Sequence, residues 1–98
     1  MSAEAASLHV SGGRWQVAGT LSMDTVETVR VASAAIGMPQ DGIIDLAAVD
    51  RVDSAGVALV LSWARRAAAE GRPLVFAGMP QSMRALATLY GVEELLVD

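Results

Sequence analysis

The chain has 98 residues, no cysteine, no lysine and a formal net charge of −4 at pH 7. This length fits a single domain, residues 1–98, and 53% hydrophobic against 18% charged residues exclude a disordered chain. The absence of cysteine excludes disulfides, thiolate metal sites and a cysteine nucleophile. The acidic balance argues against nucleic acids and anionic membranes as direct partners.

The sequence shows no targeting or membrane signal. Residues 1–6 contain no basic segment and no long apolar core, so they do not resemble a signal peptide. The longest uninterrupted apolar run is Val57–Leu61, far below the roughly 20 residues of a membrane span. We therefore expect a soluble, cytoplasmic protein.

The chain begins with a predicted β-hairpin. Leu8–Val10 and Arg14–Ala18 are the strands, and Ser11–Gly13 is the turn between them. Trp15 and Val17 are two residues apart, so they share one face of the second strand.

A helix is predicted to begin at Asp24, which has capping-box spacing with Glu27. Its inner face carries Val26, Val29, Ser33 and Ile36. Gly37 and Pro39 end the helix. The branched apolar run Ile43–Leu46 is typical of a buried central strand.

A loop at Asp50–Gly56 then leads into a long helix that continues to Glu70. The predicted core stripe of this helix is Val57, Val60, Leu61, Ala64 and Ala68. Leu74–Ala77 predicts another buried strand. The final helix has an inner stripe of Met83, Leu86, Ala87 and Tyr90, and residues 95–97 form a short strand or an extended tail.

The elements follow the order β-β-α-β-α-β-α, with an optional last strand. Strand–helix–strand connections produce parallel strands with right-handed crossovers, whereas the hairpin is antiparallel. We therefore predict an α/β fold with a mixed sheet of four to five strands and three helices that cover at least one face.

Reactive residues are too few for an enzyme. A hydrolase built on Ser54 would need the single histidine, His9, as its base, and the Gly-x-Ser-x-Gly elbow is missing. Asp45, Asp50 and Asp53 are close in sequence, but capping of turns and helices explains them better than a metal site. No glycine-rich phosphate loop is followed by a lysine. We expect no catalysis, no metal and no cofactor.

The segment Asp53–Gly56 joins the central strand to the longest helix. Asp53 or Ser54 is expected to accept hydrogen bonds from the first helical turn, and Gly56 lets neighbouring backbone approach closely. The free amides of a helix N-terminus favour polar partner groups, so this segment is a candidate recognition site. Its physical chemistry alone does not name the partner.

Two consecutive motifs, Ile43–Leu46 and Val52–Leu61, resemble the STAS family, and so do Gly71–Gly78 and Leu86–Gly91 downstream. The family includes anti-sigma factor antagonists and the cytoplasmic domains of sulfate transporters. Its pattern is an apolar strand ending in aspartate, a loop, and Asp-Ser-Ser/Thr-Gly opening a helix. The resemblance implies the STAS fold and a non-catalytic module that docks on another protein.

Within that family, the chain is most similar to the small accessory subunits of phospholipid ABC transporters in Gram-negative bacteria. The similarity implies binding to the cytoplasmic ATPase subunit, beside permease and periplasmic lipid-carrier subunits, in maintaining outer-membrane lipid asymmetry. The antagonists are usually phosphorylated at the second hydroxyl of the motif, which is Ala55 here, while Ser54 keeps the first. This departure favours the transporter over the alternative, an anti-sigma factor antagonist that acts by partner switching.

Helical geometry predicts a docking strip on the long helix. With Val57 facing inward, Leu59 and Trp63 fall on the outer side, one turn apart. Tryptophan and arginine are frequent binding hot spots, and large exposed apolar patches mark interfaces. The predicted partner-binding residues are Asp53, Ser54, Leu59, Ser62, Trp63 and Arg66, with Arg84 and Thr88 beside them. The alternative is that a neighbouring helix covers Trp63 within the domain.

Overall fold

The computed structural model describes residues 5–96 of the chain. It begins with the strands β1 (Ala6–Ser11) and β2 (Arg14–Leu21), which pair antiparallel. Gly12 and Gly13 both have positive φ and form the two-residue turn, a conformation that glycine adopts without steric cost. The predicted hairpin is confirmed, and both of its strands are longer than predicted.

Helices and strands alternate along the rest of the chain: α1 (Val26–Ala34), β3 (Ile43–Val52), α2 (Ser54–Ala69), β4 (Val75–Ala77), α3 (Gln81–Leu89) and a 3₁₀ turn, Glu93–Leu95. The sheet order is β1-β2-β3-β4, with β2, β3 and β4 parallel. The predicted α/β class, mixed sheet and three helices are confirmed. Within residues 5–96 there is no fifth strand, and Val97 lies outside the described residues.

The central strand β3 continues to Val52, well beyond its predicted end at Leu46. Its pairing with β2 is irregular, because β3 has an extra residue at a shift in register. Gln16 and Ala18 of β2 are two positions apart, whereas their partners Asp45 and Ala48 are three apart. A β-bulge of this kind bends the strand and interrupts its alternation, so two consecutive residues face solvent before the chain returns to the core. The segment from Asp50 to Val52, predicted as loop, is therefore strand.

The helices pack on one face of the sheet, so the fold has two layers. That face supplies side chains at most 1% exposed: Trp15, Val17, Ile44, Leu46 and Phe76. Helical residues join them in one core: Val29, Val57, Val60, Met83 and Ala87. The opposite face carries short or polar side chains such as Gln16, Ala18, Asp45 and Ala48 and is open to solvent. Ile43–Leu46 and Leu74–Ala77 are predicted as buried strands, and the structure buries each of them on one side only.

α1 begins differently from the prediction. Its N-cap is Thr25 rather than Asp24, and Glu27 is hydrogen-bonded to Arg30 instead of the helix start. The predicted capping box is therefore wrong. The predicted inner stripe is confirmed, with Val29 and Ser33 buried and Val26 and Ile36 half-buried.

α2 and α3 follow their predicted stripes in part. The buried members in α2 are Val57, Val60 and Leu61, whereas Ala64 is half-buried and Ala68 is exposed. In α3, Met83 and Ala87 are buried and Leu86 is half-buried. Tyr90, predicted on the inner face, is 49% exposed because it is the C-cap, where the helix has already ended.

Candidate functional site

The carboxyl ends of β2 and β3 lie side by side, and α1 and α2 begin next to them. Asp53 directly follows β3 and is the N-cap of α2. Its Oδ1 accepts hydrogen bonds from the amides of Ala55 at 2.8 Å and Gly56 at 3.3 Å. Its Oδ2 accepts one from the amide of Met23 at 3.0 Å. The predicted cap is confirmed, and the same carboxylate also ties the β2–α1 loop to α2.

The β2–α1 loop is fixed by hydroxyl groups as well. Thr25 Oγ1 accepts from the amide of Ser22 at 2.9 Å and donates to the carbonyl of Thr20. Thr20 Oγ1 donates to Asp50 Oδ1 at 3.0 Å. Both threonines are buried, so these bonds hold the loop from inside the fold. The loop therefore presents Met23, which is 77% exposed, on a well-anchored backbone.

Gly56 allows the first turn of α2 to approach the end of β2. A Cβ atom on this residue would lie 2.6 Å from the carbonyl oxygen of Leu21 and 2.8 Å from Cγ1 of Val52. These distances are shorter than any van der Waals contact, so only a residue without a side chain fits. The predicted close approach at Gly56 is confirmed.

Ser54 is the first residue of α2, and its side chain points to solvent. Its hydroxyl makes no hydrogen bond with any of residues 5–96, so it is available to an incoming partner. His9 pairs with Gln16 on the open face of the sheet, on the side away from α2, and cannot act as a base for Ser54.

The aspartates that were considered as metal ligands have separate structural tasks. Asp45 Oδ1 accepts from the amide of Ala47 at 2.9 Å on the open face of the sheet. Asp50 accepts from Thr20, and Asp53 caps α2. Among the described residues, no three histidine or acidic side chains are grouped so that they could hold a metal ion.

Two concave surfaces flank Ser54. A shallow depression of about 340 Å³ lies toward α3 and is lined mainly by polar residues, including Thr20, Asp50, Arg51 and Ser82. A groove of about 300 Å³ lies between α1 and α2 and is lined by Val26, Arg30, Ala55, Ala58, Leu59 and Ser62. Ser54 therefore lies between a depression lined by several polar residues and a largely apolar groove.

Two members of the predicted docking strip belong to the core. Leu59 is 5% exposed and Trp63 is 2% exposed, so the prediction that they face outward is wrong. Trp63 Nε1 donates to Ser33 Oγ of α1 at 3.0 Å, and its ring packs edge-to-face on Trp15 at 5.6 Å. The alternative, in which a neighbouring helix covers Trp63, is correct because α1 lies over that flank of α2.

Arg66 also has an internal role. Its guanidinium donates to the carbonyl of Ser33 at 2.9 Å and to the carbonyl of Ile36. Its Nε donates to Glu70 Oε2 at 3.2 Å. The carbonyl of Ser33 also accepts from the amide of Ile36 at 3.3 Å, so Arg66 adds a second donor there and supplies a partner to the Ile36 carbonyl just beyond the end of α1. Arg66 thus joins α1 to α2, and each of its three guanidinium nitrogens donates a hydrogen bond within the domain.

The remaining predicted residues are at the surface. Ser62 borders the groove, and its hydroxyl donates to the carbonyl of Leu59 at 2.6 Å. Arg84 and Thr88 are exposed on α3. The hydroxyl of Thr88 lies 3.0 Å from Glu93 Oε2, so it supports the junction with the 3₁₀ turn. A partner-binding role for Asp53, Ser54, Ser62, Arg84 and Thr88 stays a prediction.

The structure adds residues that the sequence did not suggest, namely Met23, Ala58 and the pair Glu27–Arg30 beside the groove. Arg30 Nε donates to Glu27 Oε1 at 2.9 Å. This hydrogen bond lowers the pKa of Glu27 and raises the pKa of Arg30. Met23 gave no signal because a single methionine in a loop belongs to no periodic pattern.

Fold and site together define a small α/β domain with the anti-sigma factor antagonist-like fold. A family model described as "Mlab, STAS domain" matches residues 4–98, and the chain belongs to the STAS family. The resemblance to its MlaB branch is thereby confirmed, and STAS domains are in general non-catalytic. No curated protein of significantly similar sequence was found. None of the helices in residues 5–96 combines the length and apolarity needed to cross a membrane.

Proposed function

We propose that this chain is an MlaB-like, non-catalytic accessory subunit of an ABC-type phospholipid transporter. It docks on the cytoplasmic MlaF-like ATPase subunit and supports that subunit in maintaining outer-membrane lipid asymmetry. The observation that carries the proposal is the match of residues 4–98 to the MlaB-described STAS model. The protein would lie in the cytoplasm, held at the inner membrane through a complex with the permease and periplasmic lipid-carrier subunits.

The geometry of the site supports docking more than chemistry. Asp53 uses three hydrogen bonds to fix its own loop and the loop that bears Met23. A surface that is already ordered loses little conformational entropy when a partner binds. The exposed hydroxyl of Ser54 lies on this surface, where it can bond with a polar group of the ATPase.

A second candidate is an anti-sigma factor antagonist, and the exposure of Ser54 is the observation in its favour. A kinase could reach this hydroxyl. Phosphate at a helix N-terminus is electrostatically tolerated and adds roughly −1.5 to −2 charges. The usual acceptor position, however, is Ala55, which has no hydroxyl. We therefore expect Ser54 to act unmodified.

The proposal is tested by titrating the chain against an MlaF-like ATPase subunit from the same organism. Ser54→Ala is expected to weaken binding by about 1–3 kcal/mol, since the partner loses a hydrogen bond at the surface centre. Ser11→Ala is the matched control, because Ser11 is an exposed serine at the opposite end of the sheet. Absence of any complex with the ATPase, or equal affinities of both variants and the wild type, would contradict this placement.

Intact-mass analysis of the chain from its native host separates the two candidates. A substantial fraction heavier by about 80 Da, the mass of one phosphate, would favour the antagonist. A single unmodified mass, together with copurification of the ATPase, would favour the transporter subunit.

A further inference from the structure

Met23 is the most exposed large hydrophobic residue in the described part of the chain, at 77%. A single exposed apolar residue is ordinary, but this one lies just before a helix that borders a largely apolar groove. Val26 follows one helical turn later and lines the α1–α2 groove. The amide of Met23 is bonded to Asp53, the cap of α2, so the backbone at Met23 is held beside the end of α2 from which Ala55 enters the groove.

The groove itself suits a helix. Its α2 wall consists of Ala55, Ala58 and Ser62, which recur at three- and four-residue spacing and have short side chains. Short side chains on one helix let another backbone approach closely, and Leu59 supplies an apolar floor that is 5% exposed. Helix-in-groove docking is a recurring mode of recognition on such surfaces.

The charges near Met23 indicate which charge a helix docked in the groove should carry beside its apolar face. Asp24 is exposed and forms no ion pair within residues 5–96. Arg30, the cation of the groove, is already paired with Glu27. Arg51 lines the other depression together with two carboxylates, those of Asp50 and Asp53. The uncompensated charge beside Met23 is therefore negative.

We propose that Met23 and the α1–α2 groove receive an amphipathic helix of the partner, with an apolar face and a basic side chain that pairs with Asp24. This inference rests on the proposed function, because it takes the partner to be the ATPase subunit. Met23 inserts between side chains of that helix, and Ala55 and Ala58 contact its apolar face.

The apolar contact is tested with Met23→Ser in titrations against the purified ATPase subunit. Burial of a methionine is worth enough that its loss should weaken binding by about 10- to 100-fold. The matched control is Leu89→Ser at the end of α3, because Leu89 is 75% exposed and lies outside the groove. A second variant, Ala58→Lys, places a bulky cation in the groove and should weaken binding at least as much. Both positions are exposed, so thermal melts should show folded proteins.

The charged contact is tested with Asp24→Asn, measured at low and moderate salt. Loss of this carboxylate should slow association by roughly 3- to 10-fold at low salt and flatten the salt dependence. Glu94→Gln is the matched control, because Glu94 is exposed at the 3₁₀ turn, away from the groove.

Failure of the inference differs from failure of the proposed function. If the wild-type chain does not bind the ATPase, the proposed function fails. If the wild type binds and Met23→Ser and Ala58→Lys bind within twofold of it, the groove is not the docking site, although the proposed function stands. If Asp24→Asn behaves like Glu94→Gln, the basic flank of the partner helix is refuted.

Discussion

Asp53 and Ser54 are neighbours with opposite relations to the fold. Asp53 uses both carboxylate oxygens within the domain, for two amides of α2 and for the amide of Met23. Ser54 uses its hydroxyl for no contact with the described residues and faces solvent. The motif thus combines one residue that builds the surface with one that is free to contact a partner.

This division can be measured by alanine substitution at each position. Asp53→Ala should lower the free energy of unfolding by about 1–3 kcal/mol, because it leaves amides of α2 and the β2–α1 loop without acceptors. Ser54→Ala should change it by less than about 0.5 kcal/mol. Urea unfolding followed by circular dichroism gives both values. A larger loss for Ser54→Ala than for Asp53→Ala would contradict the assignment.

For individual residues, the sequence predicts contacts between chain neighbours well and contacts between distant positions poorly. The cap at Asp53 and the close approach at Gly56 follow from residue type and spacing alone. The bond from Asp53 to Met23 joins positions 30 apart in the chain, so no local pattern could show it. The same limit explains the error at α1, where Thr25 is held by Thr20 and replaces the predicted cap at Asp24.

The helix α2 shows why an apolar stripe at helical spacing does not identify the exposed face of a helix. Its buried arc is centred near Val60 and Ala67 rather than Val57, and it includes Leu59 and Trp63. A helix between two neighbours is covered on both flanks as well as on the sheet side, so the buried arc is wide. Alanine is frequent along α2, so the residue types of buried and exposed positions differ little. Where α1 lies cannot be derived from the periodicity of α2.

The contact between α1 and α2 yields a prediction about Trp63. Trp63→Ala should lower the free energy of unfolding by about 3–5 kcal/mol, because it leaves a cavity beside Trp15. Trp63→Phe should cost less, roughly 1–3 kcal/mol, since it keeps apolar volume but leaves the hydroxyl of Ser33 without its indole donor. Denaturant titrations by circular dichroism measure both.

A double-mutant cycle provides the control for this contact. Ser33→Ala removes the acceptor, so adding Trp63→Phe in that background should cost less than it does in the wild type. Equal costs in both backgrounds would show that the indole–hydroxyl bond contributes nothing. Unchanged stability of Trp63→Ala would contradict its burial.

For the whole molecule, the order of elements was enough to predict the α/β class, the mixed sheet and the parallel crossovers. The sequence did not reveal that one face of the sheet is uncovered, because strands buried on both faces and strands buried on one can share short apolar runs. The bulge between Asp45 and Ala48 also interrupts the alternation that would have marked the open face. The docking surface that we propose lies at the carboxyl ends of the strands and on the helical layer, away from this open face.

The open face gives a prediction that concerns the architecture as a whole. Ala48→Lys should change the free energy of unfolding by less than about 0.5 kcal/mol, because Ala48 is exposed on the uncovered side of β3. Leu46→Lys should unfold the domain, because Leu46 is 0% exposed among the helices and a buried unpaired ammonium is very costly. Denaturant titrations and light scattering of both variants and the wild type measure stability and mass. Ala48→Lys should also bind the ATPase like the wild type. If instead it loses stability together with a fall in molecular mass, the face is covered by a second copy of the chain.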